Sequence, residues 1–389
     1  MNRLTRRGLL RGCLFCTALG LVGCAETGGQ RVAPGHRPSL ATDEGALWHV
    51  VDRMEADLQR SRFLIRDPAL NQYLRGIVDR LADAHGKDVR VYLTRTAYFN
   101  ASMAPNGMMQ VWSGLLLRTR NEAQLAAVLA HELGHYLHQH TLQKFRTARN
   151  TADVLQFLSI GLALAGVGGA GSLVQMIAVA GLFAYSRDQE READQVGLEL
   201  MTKAGYAPLE ASAVWEQIIA ETNADPHKKD RDVFFTTHPD PEERMTALRE
   251  QALARTSGSA NSHAERYRAA LKVHRTQFLQ DELRLRQPER TLILLDRLAV
   301  EGVRDPELLF FEGEVYRMRD AEGDRPKARV AYQRAVATGN APPESWCGLG
   351  MLGQRDGDKA AARVAFERYL ELKPDASDRE MVRSYLAGM

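Results

Sequence analysis

The spacing of hydrophobic residues along the chain predicts a mainly α-helical protein. Apolar residues recur at helical intervals in four segments of the first half, at residues 44–59, 68–84, 122–140 and 185–203. Two shorter segments differ. Residues 89–93 alternate between apolar and polar, as in a β-strand, and residues 99–111 mix apolar residues with Gly, Pro and Asn, which indicates a hairpin or an edge strand. We therefore expect a small sheet among the helices.

The predicted helix over residues 122–140 has a recognisable beginning. Asn121 is a favoured N-cap residue, and Gln124 lies three residues further on, in the position of a capping box. Gly134 lies inside this helix, where glycine costs about 1 kcal/mol relative to alanine. A glycine at this position predicts that another element packs closely against the helix.

Large and small residues recur regularly in the last third of the chain. The spacing is that of a tetratricopeptide repeat, with one unit at Trp346, Leu349, Gly350, Ala362, Phe366 and Pro374 and an earlier unit at Gly313, Tyr316, Ala328, Tyr332 and Ala335. A weaker helix pair precedes them. The pattern predicts an α-helical, TPR-like repeat domain over residues 264–389, and a generic helical bundle is the alternative.

The first residues have the features of an export signal. Four arginines precede an apolar stretch over residues 13–22, which is shorter than the roughly 20 residues of a spanning helix. Leu21-Val22-Gly23-Cys24 resembles a bacterial lipobox, and Arg6-Arg7 resembles a twin-arginine signal. We expect a signal peptide over residues 1–23 and a lipid on Cys24; an ordinary secretory signal is the alternative.

The segment after the lipobox predicts a flexible tether, because residues 24–42 are rich in Gly, Pro, Ser and Thr. Ala25, in place of an Asp, favours the outer membrane, so we expect an exported, periplasmic, lipid-anchored protein. Of the four cysteines, two belong to the signal peptide. Only the lipidated Cys24 and Cys347 remain, and no intramolecular disulfide is expected.

Overall charge and one further apolar segment narrow the protein class. The net charge is +2 and the basic residues are spread along the chain, which gives no reason to expect a nucleic-acid partner. Residues 153–183 are apolar and rich in glycine. A helical pair packing on the globular body is the favoured interpretation, and a single membrane span, as in an integral membrane protease, is the alternative.

Two histidines four residues apart predict a metal site. His131 and His135 lie on one face of the predicted helix and can bind the same ion, while Glu132 lies beside them in position to act on a water molecule. A second charged helix places Glu190 and Asp194 four residues apart as well. Glu190 supplies a third ligand, and Asp194 accepts a hydrogen bond from the second nitrogen of a ligating histidine. Three protein ligands leave one position open, as catalytic zinc sites do.

These two motifs resemble a known family. His131-Glu132-Leu133-Gly134-His135 followed by Ser186-Arg187-x-x-Glu190-x-x-Ala193-Asp194 resembles the metallopeptidase family of HtpX and the CAAX prenyl proteases. The repeats behind an exported peptidase domain resemble its periplasmic, BepA-like branch. The resemblance implies a gluzincin-type zinc metallopeptidase domain over residues 43–255. It also implies that His131, His135 and Glu190 bind one zinc ion and that Glu132 is the general base, whereas Glu192 does not fit the ligand position.

The resemblance also extends to a histidine further along the chain. His238-Pro239 followed by Arg244 matches the His-Pro and Arg of the family, which implies that His238 lies near the metal. There it stabilises an oxyanion or occupies the open coordination position; a loop histidine before a helix is the alternative. Beyond the motif, His138 is expected near the site and His140 away from it.

Together these features predict a metalloendopeptidase of the cell envelope. The family implies hydrolysis of misfolded or unassembled envelope proteins, with the hairpin before the metal-binding helix aligning an extended substrate by backbone pairing. The repeat domain implies a protein partner. The alternative is a chaperone-like assembly factor that acts mainly through its repeats, with latent proteolysis.

Overall fold

The computed structural model describes residues 31–148, 185–224, 238–255 and 261–389. The predicted signal peptide, the predicted lipid site at Cys24, the apolar segment 153–183 and residues 225–237 before His238 lie outside these residues. Within the described part, no helix is long and apolar enough to cross a membrane.

The first half of the chain is a helical domain that surrounds a small sheet, as the hydrophobic pattern predicts. The helices, numbered along the described residues, are α1 (Asp43–Arg60), α2 (Pro68–Ala82), α3 (Ser113–Arg118), α4 (Glu122–Leu137), α5 (His140–Ala148), α6 (Arg187–Lys203), α7 (Glu210–Asn223) and α8 (Pro241–Ala254). The strands are β1 (Arg90–Thr94), β2 (Ala101–Met103) and β3 (Met108–Trp112).

The strand order of the sheet is β1-β3-β2. β3 pairs in parallel with β1 and antiparallel with β2, so residues 99–111 form the predicted hairpin and β2 lies at an edge. The hairpin turn requires glycine at Gly107, where φ is 89° and a Cβ would collide with the Asp88 carbonyl oxygen. The sheet lies beside α4, and pairing with β3 holds β2 next to this helix.

The helix that carries His131 and His135 begins where the sequence predicts. The Asn121 side chain accepts a hydrogen bond from the Gln124 N–H at 2.9 Å, which confirms the N-cap. The side-chain oxygen Oε1 of Gln124 in turn accepts from the backbone N–H of Arg120 at 2.8 Å, one residue before the position of a regular capping box. Every residue of α4 is buried, so the helix forms the centre of the domain.

α4 and α6 approach each other through their glycines. A Cβ at Gly134 would lie 2.8 Å from the Ala193 carbonyl oxygen, and a Cβ at Gly197 would lie 2.9 Å from the His131 nitrogen. The close packing predicted from Gly134 is therefore confirmed. It brings the two motif-bearing helices within backbone contact, which places their side chains in one site.

The second half of the chain consists of helices packed in sequence. They are α9 (Ala264–Leu271), α10 (Arg275–Arg284), α11 (Pro288–Leu298), α12 (Pro306–Arg319), α13 (Asp324–Ala337), α14 (Glu344–Arg355), α15 (Lys359–Leu372) and α16 (Arg379–Ala387). Large residues nest on glycines as the repeat pattern requires. The Tyr332 ring lies against Gly313 and Gly348, and the Phe366 ring against Gly350.

The main hydrophobic core continues across the predicted domain boundary. Tyr267 and Phe278 of the second half belong to the same buried cluster as Leu116 of α3. The Tyr267 hydroxyl donates to the Leu116 carbonyl oxygen at 2.6 Å. Helices α9 and α10 are therefore part of the same packed body as the first domain.

The second half of the predicted tether packs on the domain. Val32 is buried and its N–H donates to the Leu137 carbonyl oxygen at 2.8 Å, directly at the end of α4. His36 lies 2.8 Å from Glu44, and the Arg37 guanidinium lies over the Trp48 ring. From Val32 onwards the chain is thus held in place by the core, in contrast to the flexible segment expected through residue 42.

Candidate active site

Four predicted side chains converge between α4 and α6. The Nε2 atoms of His131 and His135 lie 3.0 Å apart. The Glu190 carboxylate lies 3.4 Å from His131 Nε2 and 3.6 Å from His135 Nε2. His238 completes a buried group whose ligand atoms all lie within 4.8 Å of one another. One turn of helix separates the two histidines, so the fold realises the spacing seen in the sequence.

This group has the geometry of a metal site. In a tetrahedral site with bonds of about 2.0–2.1 Å, ligand atoms lie about 3.3 Å apart, close to the distances of 3.0 to 3.6 Å between the two imidazoles and Glu190. Two imidazole lone pairs facing each other at 3.0 Å also need a cation or a proton between them. The donor set therefore fits a small divalent ion.

Glu132 lies beside the converging ligands and makes few contacts of its own. Its side chain is buried, and its Oε1 atom has no hydrogen-bond partner in the described residues. The backbone of Met103, on edge strand β2, hydrogen-bonds to the carboxylate. Burial raises the pKa of Glu132 to about 8. A carboxylate with a raised pKa and a free oxygen is suited to accept a proton near neutral pH.

Asp194 binds the histidine ligand from behind. Its Oδ1 atom lies 2.9 Å from His131 Nδ1, the contact that the sequence predicts. Burial and the Arg244 charge lower the pKa of His131, but the carboxylates of Asp194 and Glu190 outweigh them and raise it to about 9. Asp194 therefore fixes the orientation of His131 and its Nδ1 proton, so that Nε2 points to the site.

Arg244 joins the two carboxylates of α6. The guanidinium donates to both oxygens of Asp194, at 2.7 and 2.5 Å, and its Nη1 atom lies 2.5 Å from Glu190. It also lies over the Trp215 ring, 4.2 Å from the centroid. Burial opposes the charge on Asp194, but Arg244 holds the pKa of that carboxyl below its ordinary value. Arg244 matches the arginine of the family pattern, but the sequence did not predict its contacts with Asp194 and Glu190.

His238 lies inside the site and not on an open loop. Its Nδ1 atom is 3.1 Å from Glu190 Oε1, and its Nε2 atom is 3.6 Å from Glu132 Oε1. It is positioned just before α8, where Pro241 begins the helix after the left-handed Asp240. Burial lowers the pKa of His238, so a neutral ring is favoured. The placement near the predicted ligands agrees with the resemblance.

The prediction that His140 lies away from the site is wrong. Its Nδ1 atom is 2.8 Å from His135 Nδ1, and its Nε2 atom is 2.9 Å from Glu192. The prediction assumed that the helix continues to residue 140, but α4 ends at Leu137 and the chain turns through Gln139, where φ is 55°. This turn returns the chain towards the site.

Tyr185 is a neighbour of the site that sequence reasoning missed. Its ring stacks on the His135 ring with centroids 3.7 Å apart and an interplanar angle of 15°. Its hydroxyl hydrogen-bonds to Thr141 at 2.9 Å. A tyrosine directly before the N-cap Ser186 carries no sequence signal for such a contact, since only the packing of α6 on α4 creates it.

Known proteins share the part of the chain that contains this site. Peptidase family M48 matches residues 65–252, which include all six predicted site residues. Among individual proteins, a "Beta-barrel assembly-enhancing protease" of Escherichia coli is 24% identical over 367 residues, covering 90% of this chain and 73% of that protein.

Two further relatives are more similar over shorter stretches. A protein of the same name from Yersinia pestis is 28% identical over 246 residues, 59% of this chain and 49% of that protein. A "Mitochondrial metalloendopeptidase OMA1" of Schizosaccharomyces pombe is 32% identical over 152 residues, 39% of this chain and 43% of that protein. The chain thus spans about half of the length of each of these two relatives or less.

Proposed function

Because the chain carries a metalloprotease domain of peptidase family M48, we propose that it is a zinc-dependent endopeptidase of the bacterial cell envelope. The observation that carries this proposal is the convergence of His131, His135 and Glu190 beside a Glu132 oxygen that accepts no hydrogen bond from the described residues. Two imidazoles and one carboxylate are a donor set of catalytic zinc sites. A bound zinc ion supplies Lewis-acid chemistry, polarising the scissile carbonyl and acidifying water.

The side chains around the ion have separate tasks in peptide hydrolysis. Glu132 takes a proton from the attacking water and delivers it to the leaving amine. His238 faces Glu132 and Glu190, from where it stabilises the negative charge that develops on the carbonyl oxygen. Asp194 and Arg244 touch no substrate and hold the ligands in place.

The edge strand β2 is positioned to align a substrate. Asn100 and Ala104 form hydrogen bonds to β3, and alternation along an antiparallel strand directs the backbone of Ala101 and Met103 away from β3. No strand occupies this outer edge in the described residues, and Met103 reaches Glu132 there. An extended peptide pairing with β2 would pass the site, which restricts substrates to unfolded or locally extended segments.

The proposed setting of the enzyme rests on the predicted export signal and on the names of the relatives. Relatives of this chain are named as assembly-enhancing proteases of β-barrels. We propose that the substrates are misfolded or unassembled envelope proteins, with the lipid on Cys24 anchoring the enzyme in the outer membrane. The helical repeats of the second half would hold a protein partner.

A Glu132→Gln variant tests the catalytic proposal. Loss of the proton acceptor should lower the rate of casein hydrolysis by at least about 100-fold, while zinc content measured by elemental analysis stays at the wild-type value. Glu216→Gln, an exposed position on α7, is the matched control and should keep full activity. Equal rates for wild type and Glu132→Gln would refute the proposed role.

A chaperone-like assembly factor is the second candidate function, favoured by the nested helices around Tyr332 and Phe366. In cells that depend on this protein, the Glu132→Gln variant distinguishes the two. Accumulation of envelope proteins with the variant, compared by proteomics with wild type, supports proteolysis. Full complementation by the zinc-loaded variant would instead assign the main role to the repeats.

A further inference from the structure

A second group of potential metal ligands lies next to the first. His138, His140 and Glu192 direct their ligand atoms to within 4.8 Å of one another. The His138 Nδ1 atom lies 2.7 Å from one oxygen of Glu192, and the His140 Nε2 atom lies 2.9 Å from the other. Neither His138 nor Glu192 has a task in the proposed hydrolysis.

The turn between α4 and α5 creates this group. On a continuous helix, side chains two residues apart diverge by about 200°, so His138 and His140 would point apart. Here His138 caps α4, Gln139 takes the left-handed conformation, and α5 begins at His140. The change of direction brings both rings to the same carboxylate, which α6 supplies.

His138 is the unexplained member of the group. It is only 8% exposed, and neither of its ring nitrogens has a hydrogen-bond partner in the described residues. Its approach to Glu192 is short but does not have hydrogen-bond geometry. Buried polar atoms are rarely left without a partner. A cation between the ring and the carboxylate would use the Nδ1 lone pair and remove this cost.

The chemistry of the three ligands selects a class of ion. Two imidazoles with one carboxylate suit Zn²⁺ and similar divalent transition metals, whereas calcium and magnesium prefer oxygen ligands alone. The Glu192 side chain is 35% exposed, whereas Glu190 is 1% exposed. The second group is therefore more accessible than the first, and an ion bound there would exchange more easily with solution.

One contact couples the two groups. His135 and His140 meet through their Nδ1 atoms at 2.8 Å. A neutral histidine that binds metal through Nε2 carries its proton on Nδ1. If both histidines bind metal through Nε2, two N–H groups face each other without an acceptor. When both groups are occupied, the repulsion between these N–H groups therefore weakens the bond of His135 to its own ion.

We propose that His138, His140 and Glu192 form a second site for Zn²⁺ or a similar divalent transition metal, and that an ion there opposes metal binding by His135. Zinc in excess should then inhibit the enzyme. This inhibition rests on the proposed function of the first site, whereas the existence of the second site does not.

The test compares wild type with His138→Gln, which removes one ligand and leaves the contact between His135 and His140 intact. Zinc per chain is measured by equilibrium dialysis and elemental analysis up to about 100 µM free zinc, and casein hydrolysis is followed in parallel. Wild type should bind an additional ion at high zinc and lose activity about tenfold. His138→Gln should lack both effects, and His49→Gln, an exposed histidine on α1, should behave as wild type.

The possible failures are separable. Equal zinc binding by wild type and His138→Gln over this range would overturn the second site. An additional ion without loss of activity would overturn the coupling through His140. If no variant hydrolyses casein at any zinc concentration, the proposed function fails, while the difference in zinc bound between wild type and His138→Gln still decides the second site.

Discussion

At the scale of single residues, contacts behind the site orient the two histidines of α4. Asp194 binds Nδ1 of His131, and His140 binds Nδ1 of His135, so both Nε2 atoms face Glu190. Arg244 forms ion pairs with both Asp194 and Glu190 from the other side. Outer contacts of this kind orient ligating histidines and raise their basicity. The geometry of the site thus depends on residues that lie behind its histidines and carboxylates.

The Asp194→Asn substitution should weaken metal binding about 10- to 100-fold, because the amide no longer carries the charge that orients His131 and pairs with Arg244. Competition with a chromophoric chelator measures the zinc affinity of the purified protein. Asp188→Asn lies on the same helix, where the side chain is 93% exposed, and should leave the affinity unchanged. An Asp194→Asn affinity equal to wild type would rule out this orienting role.

At the scale of secondary-structure elements, the site exists because two helices touch at their glycines. Gly134 of α4 meets Ala193 of α6, and Gly197 of α6 meets His131. Any larger residue would push the helices apart and separate Glu190 from the histidines. The glycine that costs α4 helical stability is therefore the one that permits the site to form.

The Gly134→Ala substitution should destabilise the protein by about 1–3 kcal/mol through overpacking against the Ala193 backbone, despite the higher helix propensity of alanine. Urea unfolding measures the change, and zinc affinity should fall with it. Gly76→Ala on α2, where a Cβ meets nothing within 4 Å, is the control and should be neutral or up to about 1 kcal/mol stabilising. A similar gain at Gly134 would contradict the close approach.

At the scale of the whole molecule, buried ion pairs join the peptidase domain to the helices that follow it. Arg118 is buried and donates to Glu221 of α7 and to both oxygens of Glu282 on α10, each at 2.8 Å. Glu122, at the start of α4, is buried between Arg80 of α2 and Arg266 of α9. The helix that carries His131 and His135 is thus tied to both halves of the chain.

The Glu122→Gln substitution should lower the free energy of unfolding at pH 7 by about 2–4 kcal/mol. Burial raises the pKa of Glu122, but hydrogen bonds from Arg266, Tyr206 and Tyr73 outweigh it and hold the pKa below the ordinary 4.5. The stabilisation is therefore present above about pH 4.5 and is lost as pH falls through the lower folded pKa.

Urea unfolding of wild type and Glu122→Gln across this pH range measures the effect, with the exposed Glu265→Gln as control. The difference between wild type and Glu122→Gln should shrink at acidic pH. A difference that stays constant down to pH values well below 4.5 would show that the carboxylate charge contributes nothing.

The sequence by itself determined the features that depend on neighbours along the chain. The N-cap at Asn121, the helical class and the hairpin follow from local patterns, and the structure has them. The spacing of His131 and His135 also follows from one helical turn. The close contact at Gly134 could be predicted because glycine destabilises a helix interior and is expected there mainly where another element packs closely against the helix.

Only the tertiary structure decided which distant groups meet. The left-handed turn at Gln139 sends His140 back to His135, a reversal that helical periodicity cannot show. Contacts of Arg244 with Asp194 and of Tyr185 with His135 arise from the packing of separate helices. Periodicity determines which face of a helix a residue lies on, but the approach of two faces depends on the whole core. The group formed by His138, His140 and Glu192 is therefore visible only in the tertiary structure.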